Sequence, residues 1–274
     1  MSSCGIILTE KFELDKEEYK KENKKLMGLF QGLGERVFES INNIYLKAIN
    51  KNVNSNTITI IIDILHKEDN EKEWANFIKY FEKESIFFFY KWSPYSKTYL
   101  LKSLKDDIIE IKSLAKLSGI LLSDILLSNK LFNNFQINLI CANLGAIVGK
   151  YCIKDFAKVI GKKKLSRFKN IIFIGGAFHF KHEDKWKEYI KRNVIDRFIN
   201  CYSTVDEKLK TLYSNCSKNK EAPIGIRPYE LKDDKDINLI TNVDFTEDKF
   251  DLSSYDYEVA KNYFQNLKIY KYTS

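Results

Sequence analysis

The stretch QINLICANLGAIVGKYC, residues 136–152, decides the fold. Its first half is an apolar run of strand length, as a strand buried on both faces requires. Its second half, from Leu144 onward, carries apolar residues at helical spacing. Between them lie Cys141, Ala142, Asn143, Leu144 and Gly145. The small residues Ala142, Gly145, Ala146 and Gly149 let a strand and the following helix cross closely. At the apex, asparagine tolerates a positive φ better than most residues that carry a Cβ. The stretch therefore predicts strand, sharp turn and helix, as at any tight junction of a doubly wound sheet.

Outward from it, strand and helix alternate. TITIIID (57–63) and SIFFFYKW (85–92) read as two buried strands, and 97–132 as helices. After the 136–152 stretch come a strand at FKNIIFIGGAF, a helix containing Trp186, and a strand at DRFINCYST. VDEKLKTLYSN then reads as helix, INLITNVDF as a sixth strand and YEVAKNYFQNL as a final helix. Six such alternations predict an α/β protein with a mostly parallel sheet and helices on both faces. Upstream, 14–50 has amphipathic spacing from Leu26 to Tyr45 and predicts a helix. The polar break NKNVNSN (50–56) suggests an N-terminal helical segment at 1–56 and a sheet domain at 57–274.

The 44% hydrophobic and 30% charged residues fit a soluble globular domain. No window approaches about 18 uncharged apolar residues, so no spanning helix is predicted, and the N-terminus lacks a signal-like apolar core. Cysteines 4, 141, 152, 201 and 216 show no CxxC spacing, which predicts reduced thiols in a cytoplasmic protein with no metal and no cofactor. Residues 150–197 hold 14 basic and 5 acidic groups, with Lys150, Lys154 and Lys158 on one helical stripe. A solvated helix face explains them; an anionic membrane surface is the sharper alternative. Aromatic interleaving is missing, so nucleic acid is not expected.

In sheets of this kind, sites form at the carboxyl ends of the strands. The α/β-hydrolases place a Gly-x-Ser-x-Gly nucleophile elbow at a strand-to-helix turn like that of 141–145. Here Asn143 takes the serine's place, and a carboxamide is no useful nucleophile. Cys141 lies within the strand, where packing is the expected fate. Asp206 follows the fifth strand, where such hydrolases hold an acid; it also suits the first turn of a helix. The triad order ends on histidine, yet His66, His179 and His182 all precede Asp206. His66 and His179 each follow a strand and are the alternative bases.

Together several segments resemble one family. Trp74 follows HKEDNEKE, and FFFYKWSPYS surrounds Trp92. CANLGAIVG (141–149), FIGGAF (173–178), DRFINCYSTVD (196–206) and NLITNVDFTEDKFDLSSYDY (238–257) follow in order. The chain is similar to the lipase-like α/β-hydrolases that include the transmembrane and coiled-coil domain-containing proteins of eukaryotes. By that resemblance the family serine falls on Asn143, the acid on Asp206 and the histidine on or near Ser254. Ile64 and the backbone N–H of Leu144 would border the oxyanion region. Losing serine and histidine together removes nucleophile and base.

The expected function is accordingly that of a non-catalytic α/β-hydrolase-fold protein that binds or regulates, with a protein or a small apolar ligand as partner. One alternative is a hydrolase of altered mechanism, acting on an ester or lipid through Asp206 with His66 or His179. The other is a peripheral membrane protein that uses the 150–197 basic segment.

Overall fold

The computed structural model describes residues 12–13, 45–48, 55–63, 85–92, 106–128, 132–160, 168–179, 186, 188–189, 195–214, 222–229 and 240–247. Within them, eight strands form one sheet: β1 (Phe12–Glu13), β2 (Tyr45–Ala48), β3 (Thr57–Ile62), β4 (Ile86–Lys91), β5 (Gln136–Ala142), β6 (Phe168–Ile174), β7 (Ile195–Tyr202) and β8 (Ile240–Asp244). Their order is β1-β2-β4-β3-β5-β6-β7-β8. Strand β2 runs antiparallel to β1 and β4, and every pair from β4 to β8 is parallel. This is the strand order of an α/β-hydrolase sheet, and the six strands predicted from TITIIID onward form its parallel part.

The N-terminal expectation needs correction. Tyr45–Ala48, predicted as the end of a helix over 14–50, is a strand whose register pairs Tyr45 with Lys91 and Ala48 with Phe88. YLKA fits a helical period, but the open edge of β4 offers its backbone a ladder, and that tertiary pairing overrides local spacing. The sheet thus runs across the polar break at 50–56. The rest of 14–44 and the helix expected near YEVAKNYFQNL lie outside the described residues.

Parallel neighbours require crossovers. Helix α1 (Asp106–Ser128) leads from β4 to β5, and α2 (Gly145–Ile160) from β5 to β6. Helix α3 (Glu207–Ser214) follows β7. Trp186 is helical, as expected, and stands edge-on to Phe173 and Phe198 of the sheet. Strands β3 to β6 are buried along nearly their whole length, which explains their unbroken Ile and Phe runs. Strand β8, the last in the order among the described residues, is mostly accessible and buries Val243 between exposed neighbours. Helix α1 docks through Tyr90, whose hydroxyl donates to the Ser118 carbonyl at 2.7 Å. No described helix is long and apolar enough to cross a membrane.

At the amino end of the sheet, buried polar side chains run from strand to strand. Thr59 Oγ1 lies 2.8 Å from Ser85 Oγ, Asn138 Nδ2 donates to Thr59 Oγ1 at 3.2 Å, and Asn170 Nδ2 donates to Asn138 Oδ1 at 2.9 Å. The register sets Thr59 beside Asn138 and Asn138 beside Asn170. A slip by one residue would turn these groups to the other face and break the line. The candidate site lies at the opposite end.

Candidate functional site

Strand β5 ends at Ala142 and α2 begins at Gly145. Between them Asn143 has a φ of 52°, and it is the one residue other than glycine, among the described residues, with a positive φ. A Cβ on Gly145 would lie 2.2 Å from the Ile62 carbonyl oxygen, so the helix can start against β3 only without a side chain there. The backbone of Asn143 ties three segments together. Its N–H donates to the Ile174 carbonyl at 2.9 Å, and its carbonyl accepts from the N–H groups of Ala146 and Ala177, both at 3.1 Å. Asn143 and Leu144 are both buried, and the Leu144 carbonyl accepts from Ile147 N–H at 2.9 Å.

Asp206 is also buried, at the start of α3. Its Oδ1 accepts from Leu209 N–H at 2.8 Å, which makes it the N-cap of that helix. Its own N–H donates to the Ser203 carbonyl at 3.2 Å, and its carbonyl accepts from Lys210 N–H at 3.0 Å. The helix dipole favours a carboxylate at this point, so the structural role weighed for Asp206 in the sequence is fulfilled.

His179 is half-buried beyond the end of β6, and its carbonyl accepts from Lys150 Nζ at 3.3 Å. Ile64, His66 and Ser254 lie outside the described residues. Cys141 is fully buried against Gly149, and burial pushes its thiol well above the usual range, which is the inert packing expected of it. Cys152 and Cys201 are buried free thiols too. The solvated stripe expected along α2 is corrected in part. Lys158 is exposed and pairs with Asp155 at 3.6 Å, but Lys150 and Lys154 are half-buried. Lys150 sits 4.8 Å from the centre of the Phe178 ring, and burial, with Lys154 and Lys112 nearby, lowers its pKa to about 8.

Residues 222–229 complete this end of the sheet, and the sequence reading assigned them nothing. Ile224 N–H donates to the Phe178 carbonyl at 2.8 Å and Gly225 N–H to the Gly176 carbonyl at 3.0 Å; the Gly225 carbonyl accepts from Ser203 N–H at 2.9 Å. Ile224–Gly225 is thereby inserted between the segments that follow β6 and β7. A Cβ on Gly225 would lie 2.3 Å from the Gly175 carbonyl carbon, and the Ile224 side chain rests on Gly176. Two asparagines clamp the segment. Asn200 Nδ2 donates to the carbonyls of Ile224 (3.1 Å) and Arg227 (3.0 Å). Asn242 accepts from Tyr229 N–H at 2.7 Å and donates to its carbonyl at 2.8 Å. The signal in the sequence is PIGI (223–226), an apolar island with proline and glycine in a polar stretch.

Asn143, His179 and Asp206 are each linked to the inserted segment through a neighbouring residue. The path runs from Asn143 to Ala177, through Gly176 and Gly225 to Ser203 and on to Asp206, with Phe178 and His179 on its flank.

Among solved structures, the chain is similar to a thermophilic esterase, Est2, of Thermogutta terrifontis, at 8% identity over 84% of this chain and 89% of that one, with a TM-score of 0.40. A predicted CIB-like hydrolase of Thermoplasma acidophilum has 9% identity over 81% and 92%, also at 0.40. The type II thioesterase YbtT of the yersiniabactin pathway has 8% identity over 81% and 96%, again at 0.40. No curated protein matches the chain. Residues 94–261, more than half of the chain, match the model of one family, and the chain belongs to it: the proteins of unknown function DUF726.

Proposed function

We propose that this chain is a non-catalytic protein of α/β-hydrolase fold, which keeps the shape of a nucleophile elbow at Cys141–Gly145 and acts in binding or regulation. The observation that carries this is Asn143, a buried carboxamide at a left-handed apex between β5 and α2. Its shape is that of an elbow, and its side chain offers no nucleophile at neutral pH. Ile224–Gly225 supports the same reading, because it packs against the segments that follow β6 and β7, at the end of the sheet where such folds form their sites. Asp206 would occupy the acid's position after β7 and serves α3 as its cap. By the resemblance, the family's histidine falls on or near Ser254.

Turnover of a panel of short- and long-chain esters tests the proposal. The wild type is expected to give none, whereas Asn143→Ser combined with Ser254→His is expected to gain a measurable rate. Wild-type turnover abolished by Asp206→Ala would overturn it in favour of a water-activating Asp206 with His66 or His179.

A further inference from the structure

Lysine side chains ordinarily keep the ammonium in water and bury only the stem. Lys150, in the second turn of α2, departs from this. It is half-buried, with Nζ 4.8 Å from the centre of the Phe178 ring. Nζ donates to the His179 carbonyl at 3.3 Å, and the centre of the Tyr151 ring lies 6.0 Å away. Among the described residues, no carboxylate pairs with it. Lys158, two turns further along the same helix, is the contrast: it is exposed and pairs with Asp155.

An aromatic face and one backbone carbonyl replace little of an ammonium's hydration. Burial therefore favours the uncharged amine, and the charges that act on it, Lys154 on its own helix and Lys112 on α1, push the same way. His179 and Tyr151 are its other titratable neighbours. An uncharged amine has a free electron pair and is the nucleophile of lysines that bind carbonyl compounds. At pH 7.5 a pKa of about 8 leaves about a quarter of such amines uncharged, against about one in a thousand at an ordinary lysine pKa. Lower basicity weakens attack by about tenfold over that range, if amines share the sensitivity of thiols, which leaves an advantage of roughly tenfold.

We propose that Lys150, held between the Phe178 ring and the His179 carbonyl, is a nucleophilic amine that captures a small aldehyde as a Schiff base. Its nitrogen attacks the carbonyl carbon and a C–N bond forms. The carbonyl oxygen leaves as water with the two amine protons, giving an imine with no change of oxidation state. The product exchanges a poorly hydrated ammonium for a neutral imine, and the apolar part of the aldehyde would meet the Phe178 ring. The Phe178 carbonyl receives Ile224 N–H, so the captured group adjoins the carboxyl end of the sheet, where such folds form their sites. The proposal does not depend on whether Asn143 has lost a catalytic function.

The test treats the full chain with acetaldehyde and cyanoborohydride, which reduces each imine to a stable secondary amine. Peptide mass spectrometry then gives the rates of ethylation at Lys150 and at Lys158, and their ratio cancels the pH dependence of the reagents. The ratio is expected to be about tenfold in favour of Lys150 at pH 7.5. It should fall severalfold by pH 10, where ordinary lysines also lose their protons. Phe178→Ala readmits water and is expected to bring the ratio at pH 7.5 towards unity. A lysine that is merely packed would react more slowly than Lys158 at every pH. A ratio below one at pH 7.5, a ratio independent of pH, or an unchanged ratio in folded Phe178→Ala overturns the proposal. Should Phe178→Ala lower Tm, the wild-type ratio and its fall with pH decide by themselves.

Discussion

The two ends of the parallel sheet use the same kinds of residue for different purposes. At the amino end, Ser85, Thr59, Asn138 and Asn170 bond one another, side chain to side chain, across four neighbouring strand positions. At the carboxyl end, the side chains of Asn200 and Asn242 bond backbone groups of the 222–229 segment, and Asp206 caps the first turn of α3. The first arrangement fixes register and needs nothing beyond the strands. The second holds irregular chain in place, and irregular chain can be rearranged without unfolding the sheet. Change is tolerated in the one place where the fold puts its sites.

The strictest demand at the carboxyl end is steric. Gly145→Val is expected to destabilise by roughly 4 kcal/mol or more, because its Cβ alone would already overlap the Ile62 carbonyl. Urea denaturation reads this directly. A cost within about 1 kcal/mol of wild type would mean that α2 does not cross β3 so closely.

Asparagine substitutions compare the two ends. Asn138→Leu breaks two of the three bonds of the amino-end line and leaves Asn170 and Thr59 buried without it, so a loss of about 2–3 kcal/mol is expected. Asn200→Ala frees the carbonyls of Ile224 and Arg227. Its expected mark is local: faster proteolytic cleavage within 222–229, with a global stability loss of only about 1–2 kcal/mol. Equal protection of 222–229 in both variants would erase the distinction drawn between the ends.

Lys150 gives a pH signature. Its pKa is lowered from 10.5 to about 8 in the folded chain, so the unfolded chain binds more protons between those values. The penalty of its charge is full below pH 8 and fades as pH rises toward 10.5. Lys154 and Lys112 are the neighbouring charges that act on it, and burial raises the Tyr151 hydroxyl, which delays its ionisation. Lys150→Met keeps the stem against Phe178 and is expected to stabilise at pH 7 by on the order of 1–3 kcal/mol. The advantage over wild type should shrink from pH 8 to 10 in denaturation curves.

Much of this was legible in the sequence, and the failures have physical causes. Ile- and Phe-rich strands announce burial on both faces, and Ala142, Gly145 and Gly149 announce a close crossing, because local composition states a local demand. Tyr45–Ala48 was not legible as a strand, because its partner β4 lies forty residues downstream and nothing in YLKA points to it. Lys150 was not legible as an interior group, because only the packing of Phe178 and of α1 takes it out of water. The role of Ile224–Gly225 depends on Gly176 and Ser203, and no local pattern encodes that meeting. At the candidate site, Asn143 and Asp206 stand after β5 and β7 as their positions in the sequence foretold.

The smallest expected effect bears on Asn143 itself. If the turn retains an elbow's backbone, the position asks for a left-handed φ before it asks for a side chain. Asn143→Ala and Asn143→Gly both remove the carboxamide, so its own bonds cancel when the two variants are compared. Alanine resists φ near 52°, and glycine accepts it freely. Glycine is expected to be the more stable by about 1 kcal/mol, less a few tenths for its greater unfolded-state freedom. A pair of denaturation curves resolves that difference. Alanine equal to glycine would mean that the apex has relaxed, and a left-handed φ would then no longer be what holds β5 to α2.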